Sequence, residues 1–491
     1  MSGYAARQAR AQEFGCRPAK PVVMPSSRRR LAGATALTAL LAAGAFPAVA
    51  ASHANPKGHR KLSLVASGPP SFTSSTVATQ QFVGEPRAVT DPGAGVTYVV
   101  APPETLDLHV ATVLWRSTDG GATFTGPVET NGGGGDSDLA FDSNHVVYVA
   151  DLFGAGGTSI PISVSTDHGA TFSSMTLVAP NAGPFDYDRH WIATTGAGHL
   201  VVIAHNENTG NEDAWTSTDG AKTFSPPTTA ATDISVAGPL VTSPASPSTV
   251  YFAYLDGSGH LNFASSTNGG STWTSGRLIA ALQDSVLFPV MTVDGSGTLY
   301  AAWSGIDPVS QNDDVVMFSR STDGGGTWLK PVAVSDNATD PLGDAPAAVF
   351  PWIVAGATAG HVDISYVQST GPLVNPVLPD LGDPTTTWDL HVAQSLNANT
   401  TATFTKVTAA PDFHTGSICT QGLACPETGV GNVPRPFDRR DLDFLGATLD
   451  GSGNVFVPYP KDRPVTGGYV GDLCCAWIDL MLARQTGGQT L

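Results

Sequence analysis

Four short polar clusters hold the side chains whose types and spacing could do chemistry: Glu85 with Arg87, Asp136 with Asp138, the run Asp186-Tyr187-Asp188-Arg189-His190, and the run from Asp438 through Arg439 and Arg440 to Asp441 and Asp443. A guanidinium fork pairs bidentately with carboxylates, so Arg87, Arg189, Arg439 and Arg440 are candidates for clamping an acidic ligand. Asp136 and Asp188 are candidates for acid/base work, and Tyr187 for a nucleophile. Three clusters contain Asp-x-Asp pairs. Carboxylates that converge can hold a hard cation that takes six to eight oxygens, which makes Asp136, Asp138, Asp186 and Asp188 candidate Ca2+ ligands. An acidic, solvated rim is the plainer alternative, and no contiguous calcium loop is present. No metal or cofactor is required by any motif. There is no G-x-S-x-G elbow, H-E-x-x-H helix or phosphate loop.

The elements that must position these residues follow from a repeat. Ser117-Thr-Asp119-Gly-Gly-Ala-Thr123-Phe124 recurs with small changes at Ser165, Ser217, Ser266 and Ser321, with Asp167, Asp219, Asn268 and Asp323 at the acidic position; a stretched sixth copy runs from Ser395 to Phe404. An Asp or Asn at the head of a tight turn accepts bonds from backbone N–H groups further on, and Gly supplies the positive φ. These five residues are therefore read as structural. In step with the turns run seven apolar strands containing Val96, Val146, Leu200, Val250, Leu299, Val362 and Val455, at steps of 50, 54, 50, 49, 63 and 93 residues. Each unit reads as four strands, which is one blade of a propeller. The expected fold is all-β: a single β-propeller with seven blades favoured, six the alternative. The last unit lacks an outer strand, and residues 76–83 are expected to supply it and close the ring. The propeller is placed at residues 76–485, after a flexible stretch at 51–75 and before a tail at 486–491.

The phrase Ser-x-Asp-x-Gly-x-Thr-Phe/Trp in successive blades resembles the Asp-box, or bacterial neuraminidase, repeat of the sialidase-like superfamily, and the likeness extends over nearly all of the propeller. Phe350-Pro-Trp-Ile, Phe288-Pro-Val-Met and Asp188-Arg189-His-Trp-Ile resemble blade starts of its secreted bacterial members. The resemblance implies a protein that acts on or binds glycans. A sialidase of this kind would use three arginines on the substrate carboxylate, a Tyr nucleophile activated by a Glu, and an Asp as acid/base. Arg87, Arg189 and Arg439 or Arg440 would be the clamp, Asp136 or Asp188 the acid/base, and Tyr187, Tyr459 or Tyr469 the nucleophile. The sequence departs from the family in lacking Arg-Ile-Pro at the first inner strand, where Glu85-Pro86-Arg87-Ala88 stands. A non-catalytic extracellular propeller that binds a glycan, peptide or cation on the same face is the second reading.

Arg28 to Arg30, an apolar stretch at 31–45 and Ala48-Val49-Ala50 read as an export signal ending before Ala51, with Met24 as an alternative start. Ser27 and the paired arginines resemble a twin-arginine leader, so the route is open between two systems. The stretch is too poor in large apolar residues for a membrane span. Residues 1–50 carry seven Lys/Arg and one Asp/Glu; without them 17 basic and 41 acidic groups remain, a net charge of −24. That excludes nucleic acid as a natural partner. The expectation is a secreted monomer. Cys419, Cys425, Cys474 and Cys475 are an even set in a compartment that permits disulfides, pairing either as Cys419 with Cys425 or across to the other two, and stapling a lid built from the insertions at 369–389, 411–443 and 461–475.

Overall fold

The structure is a computed structural model that describes residues 68–81, 83–103, 111–152, 160–183, 186–281, 283, 288–310, 314–341, 344–373, 380–382, 385–419, 443–463 and 478–491. It is a seven-bladed β-propeller, each blade an antiparallel sheet, with no helix among the described residues. The innermost strands, in blade order, are Arg87–Asp91, Ser137–Phe141, Tyr187–Gly196, Ile234–Ala237 with Val241–Ser243, Val290–Val293, Ala348–Ala355 and Thr448–Leu449. No helix of the described residues is long and apolar enough to cross a membrane. The leader at 1–50, Arg439, Arg440, Cys425, Cys474 and Cys475 lie outside the described residues.

The repeated turn explains why each unit folds locally. In the third blade, Ser217 Oγ donates to Asp219 Oδ1 (2.9 Å), the Thr223 amide donates to the same oxygen (3.0 Å), and Thr223 Oγ1 donates to Oδ2 (2.7 Å). Led by the Thr223 hydroxyl, these bonds hold the Asp219 carboxyl down at about 2. The stretched sixth copy keeps the plan, with the Thr403 amide donating to Asn397 Oδ1 (2.9 Å). The turns also join blades. In the fifth blade's copy Gly325 has φ +84, and a Cβ there would stand 2.1 Å from Phe263 of the fourth blade, so the position demands glycine twice over. Trp328 then packs edge-on against the same Phe263 at 5.6 Å. Asp219→Ala should cost about 1 kcal/mol and lower the melting temperature by about 1 °C, read by calorimetry at pH 7. The loss should fade below pH 4: a carboxyl with a depressed folded-state pKa contributes fully above its unfolded value and loses that contribution as pH falls toward 2.

The ring closes twice. At the rim, Ser71–Gln81 is the outer strand of the seventh blade and pairs antiparallel with Ile478–Gly487, from Ser71 opposite Gly487 to Gln81 opposite Ile478. This strand begins five residues before the expected 76. At the axis, the Ala88 amide donates to Gly446 O (2.8 Å) and the Gly446 amide to Pro86 O (2.9 Å), tying the first blade to the seventh. The tail also packs: the Leu491 amide donates to Gly453 O (3.0 Å). The fourth blade's inner strand is split, because Gly238 lies so close to Pro289 O of the fifth blade that a Cβ would come within 1.7 Å. In the sixth blade Asp380–Leu381 pairs with Ile418–Cys419, so the backbone at Cys419 joins the 369–389 and 411–443 insertions.

Candidate functional site at the channel mouth

The inner strands of blades three and six begin with the same irregularity. Ladder pairing skips from Asp188 to Trp191 and from Val349 to Trp352, and the skipped residues Arg189 and Phe350 have φ of 54° and 55°. Glu85, ahead of the first inner strand, has φ 45°. Left-handed backbone at bulky residues is costly and collects at sites where a side chain must be aimed. The bulges send Trp191 and Trp352 to the axis, where they meet Phe288 and Phe444 from blades five and seven. Trp191 lies 5.2 Å from Phe288 and 5.3 Å from Phe444, and Trp352 lies 5.7 Å from Phe444. Four blades thus interlock their rings.

Arg189 sits over this cluster, 5.0 Å from the Phe288 centroid. Its Nη1 donates to Asp443 Oδ2 at 2.5 Å, and its Nε lies 3.6 Å from Asp188 Oδ2. Burial opposes the charge of this guanidinium, but Asp443, Asp188, Asp136 and Glu85 together outweigh burial and hold its pKa above the ordinary value. Side chains from blades one, two, three and seven therefore converge on one arginine. Arg189 and Asp188 keep 21% and 26% of their side-chain surface exposed, whereas Asp443 keeps 1%, so a ligand would meet the first two.

A second set extends the site along the third blade. In ladder register Asp188 faces His205 and His205 faces Glu212. His205 Nδ1 is 3.8 Å from Glu212 Oε2, and burial pushes the fully enclosed Glu212 carboxyl up to about 7. Burial pulls His205 down, yet Glu212, Glu207 and Asp188 more than compensate and raise it. Desolvation first, then the Asp188 charge, raises Glu207. Glu212 and the His205 imidazole beside it can share a proton. Residues 199–205 read in the sequence only as an apolar strand; the missed signal was the pair of polar residues at its end, His205 and Asn206, facing Glu212 and Asn211.

The other candidates are spent differently. Arg87 donates through Nε to Asp138 (3.3 Å) and through Nη1 to Ala88 O (3.0 Å) and Ala447 O (2.8 Å), and it lies over Trp352 rather than beside Arg189. Asp138 also accepts from the Leu139 and Ile192 amides (2.9 and 3.1 Å), linking blades one, two and three. Asp186 accepts from the Gly183 amide and Asn208 Nδ2. Among the described residues no three His, Cys, Asp or Glu side chains gather as a metal-ligand set, so Asp136, Asp138, Asp186 and Asp188 are not brought to one point. Tyr187 donates to Asp213 Oδ2 (3.2 Å) and packs edge-on against Trp215; burial, then the Asp213 charge, pushes its hydroxyl up to about 12. Tyr459 donates to Ser74 in the closing strand.

No protein-family model matches the chain, and no curated protein matches it. Solved structures do. The chain is similar to the endosialidase of phage phi92 (10% identity over 86% of this chain and 70% of that one, TM-score 0.46). It is similar to a lectin from Burkholderia pseudomallei (15% identity, 78% and 94%, TM-score 0.46) and to an alpha-L-arabinofuranosidase from Fusarium graminearum (12% identity, 84% and 97%, TM-score 0.43).

Proposed function

We propose that this chain is a secreted, glycan-directed propeller that receives an uncharged sugar at the channel mouth. The observation that carries the reading is the state of Arg189: its charge is already matched by Asp443 and Asp188, within a ring completed by Asp136 and Glu85. Such a mouth is rich in acceptors, and sugar hydroxyls are donors. An acidic ligand would have to displace Asp443 and then face the remaining carboxylates. In the hydrolytic form of this reading Glu207, which keeps its proton to higher pH than usual, is the general acid, and Asp188 or Asp136 is the second carboxyl. The sialidase-type alternative turns Arg189 outward as a carboxylate clamp, a role that its partial exposure favours.

Calorimetric titration with neutral and sialylated oligosaccharides, together with hydrolysis of fluorogenic glycosides of both kinds, separates these readings. Neutral sugars should bind, and Asp188→Asn should weaken them about 10- to 100-fold, the size of a lost charge-assisted bond. Turnover of a sialoside that vanishes in Arg189→Ala would replace this reading by the sialidase one. Failure to bind any glycan would end both.

A further inference from the structure

Beyond the aromatic cluster the inner strands continue, and their later residues line a second, half-open space that none of the sugar chemistry uses. It is a cavity of about 230 Å³ whose walls include Leu240, Val241, Met291, Trp352, Val354 and Ala447. Met291, Val354 and Ala447 follow Phe288, Trp352 and Phe444 along the chain into or within the inner strands, whereas Arg189 precedes Trp191, so the cavity and Arg189 lie on opposite sides of the rings. At roughly 30 Å³ per water it has room for about eight waters or one small organic molecule.

Arg87 is the one charged side chain among the described residues of that wall. Its Nε and Nη1 are committed to Asp138, Ala88 O and Ala447 O, and its face rests 4.5 Å from the Trp352 centroid, but Nη2 has no partner among the described residues. We propose that this cavity is a binding site for a small uncharged molecule with an apolar body and one carbonyl or amide oxygen, the oxygen accepting from Arg87 Nη2 and the body filling the space against Trp352, Val241 and Val354. The ligand is uncharged because Asp138 already balances Arg87: a carboxylate would leave a net negative charge beside that pair. It carries an acceptor because a purely apolar molecule would cover Nη2 without satisfying it.

Three probes of similar shape distinguish these properties: benzamide, benzoate and toluene, titrated into the whole chain and read by tryptophan fluorescence and by thermal shift. Benzamide should bind saturably and at least 10-fold more tightly than either of the others. Val354→Trp should abolish that binding in a protein with unchanged circular dichroism; Val241→Trp, from another wall, serves if the first variant does not fold. Arg87→Lys, which keeps the charge beside Asp138 but removes the fork, should weaken benzamide at least 10-fold. No saturable benzamide binding, equal affinity for the three probes, or unaltered binding in a folded, filled variant would overturn the proposal. None of these outcomes depends on whether sugars bind at the mouth.

Discussion

A chain beginning after Gln81 should not fold cooperatively. The strand Ser71–Gln81 contributes eight ladder partners to Ile478–Gly487, the Ser74 contact to Tyr459 (2.8 Å), and the bond from the Gln80 amide to Asp479 (3.0 Å). At about 1 kcal/mol for each net hydrogen bond and about 2 kcal/mol for buried Val77, the loss comes to about 10 kcal/mol, which is comparable to the whole stability of an ordinary domain. It also leaves Ile478–Gly487 as an open edge beside Leu480 and Leu482, both fully buried in the intact ring. Chemical denaturation should show a broad or absent transition, restored by adding a peptide of the deleted sequence. A truncated monomer that melts within about 3 °C of the full chain would show that closure at the axis suffices.

The opposite sign is expected from Asp363→Asn. Asp363 lies in the second strand of the sixth blade, fully buried, and neither carboxylate oxygen has a hydrogen-bond partner. Gln394 faces it across the ladder: one amide N–H donates to Gln489 O (2.9 Å), and the influence of this side chain on the carboxyl is far outweighed by burial. Burial pushes this carboxyl up to about 7, against about 4 in an unfolded chain. Below pH 4 both states hold the proton and the group costs nothing extra; between pH 4 and 7 the unfolded chain ionises first, and stability drains away. At pH 8 the difference corresponds to about 4 kcal/mol, so the amide should raise stability by an amount of that order at pH 8 and by almost nothing at pH 4. Equilibrium urea melts at the two pH values check this. A gain that is equal at both would assign the effect to packing.

The architecture was legible because its determinants are local. Five copies of one turn, each closing its own bonds within a few residues, announce themselves without knowledge of neighbours. The closing strand was placed late because Ser71–Gln81 is mostly Ser, Thr and Gln, with no apolar alternation to mark its start. The site was legible only in part. Arg189, Asp188, Asp136, Glu85 and Asp443 stood out as polar residues ahead of inner strands, and the fold brings them together. Arg87 stood out equally, yet its partners Asp138 and Ala447 are 51 and 360 residues away, so its commitment to the frame could not be read from spacing. Phe288, Trp352 and Phe444 gave no hint of meeting, since only ring closure makes them neighbours.

The pairing of Ser71–Gln81 with Ile478–Gly487 has a bearing on biosynthesis. Roughly 400 residues separate the two strands, and at about 5 to 20 residues per second the first must wait some 20 to 80 s for the second to be translated. A hydrophobic segment left bare that long would invite aggregation, whereas a hydroxyl-rich one stays hydrated until its partner arrives. The plainness of that strand suits a segment made first and used last.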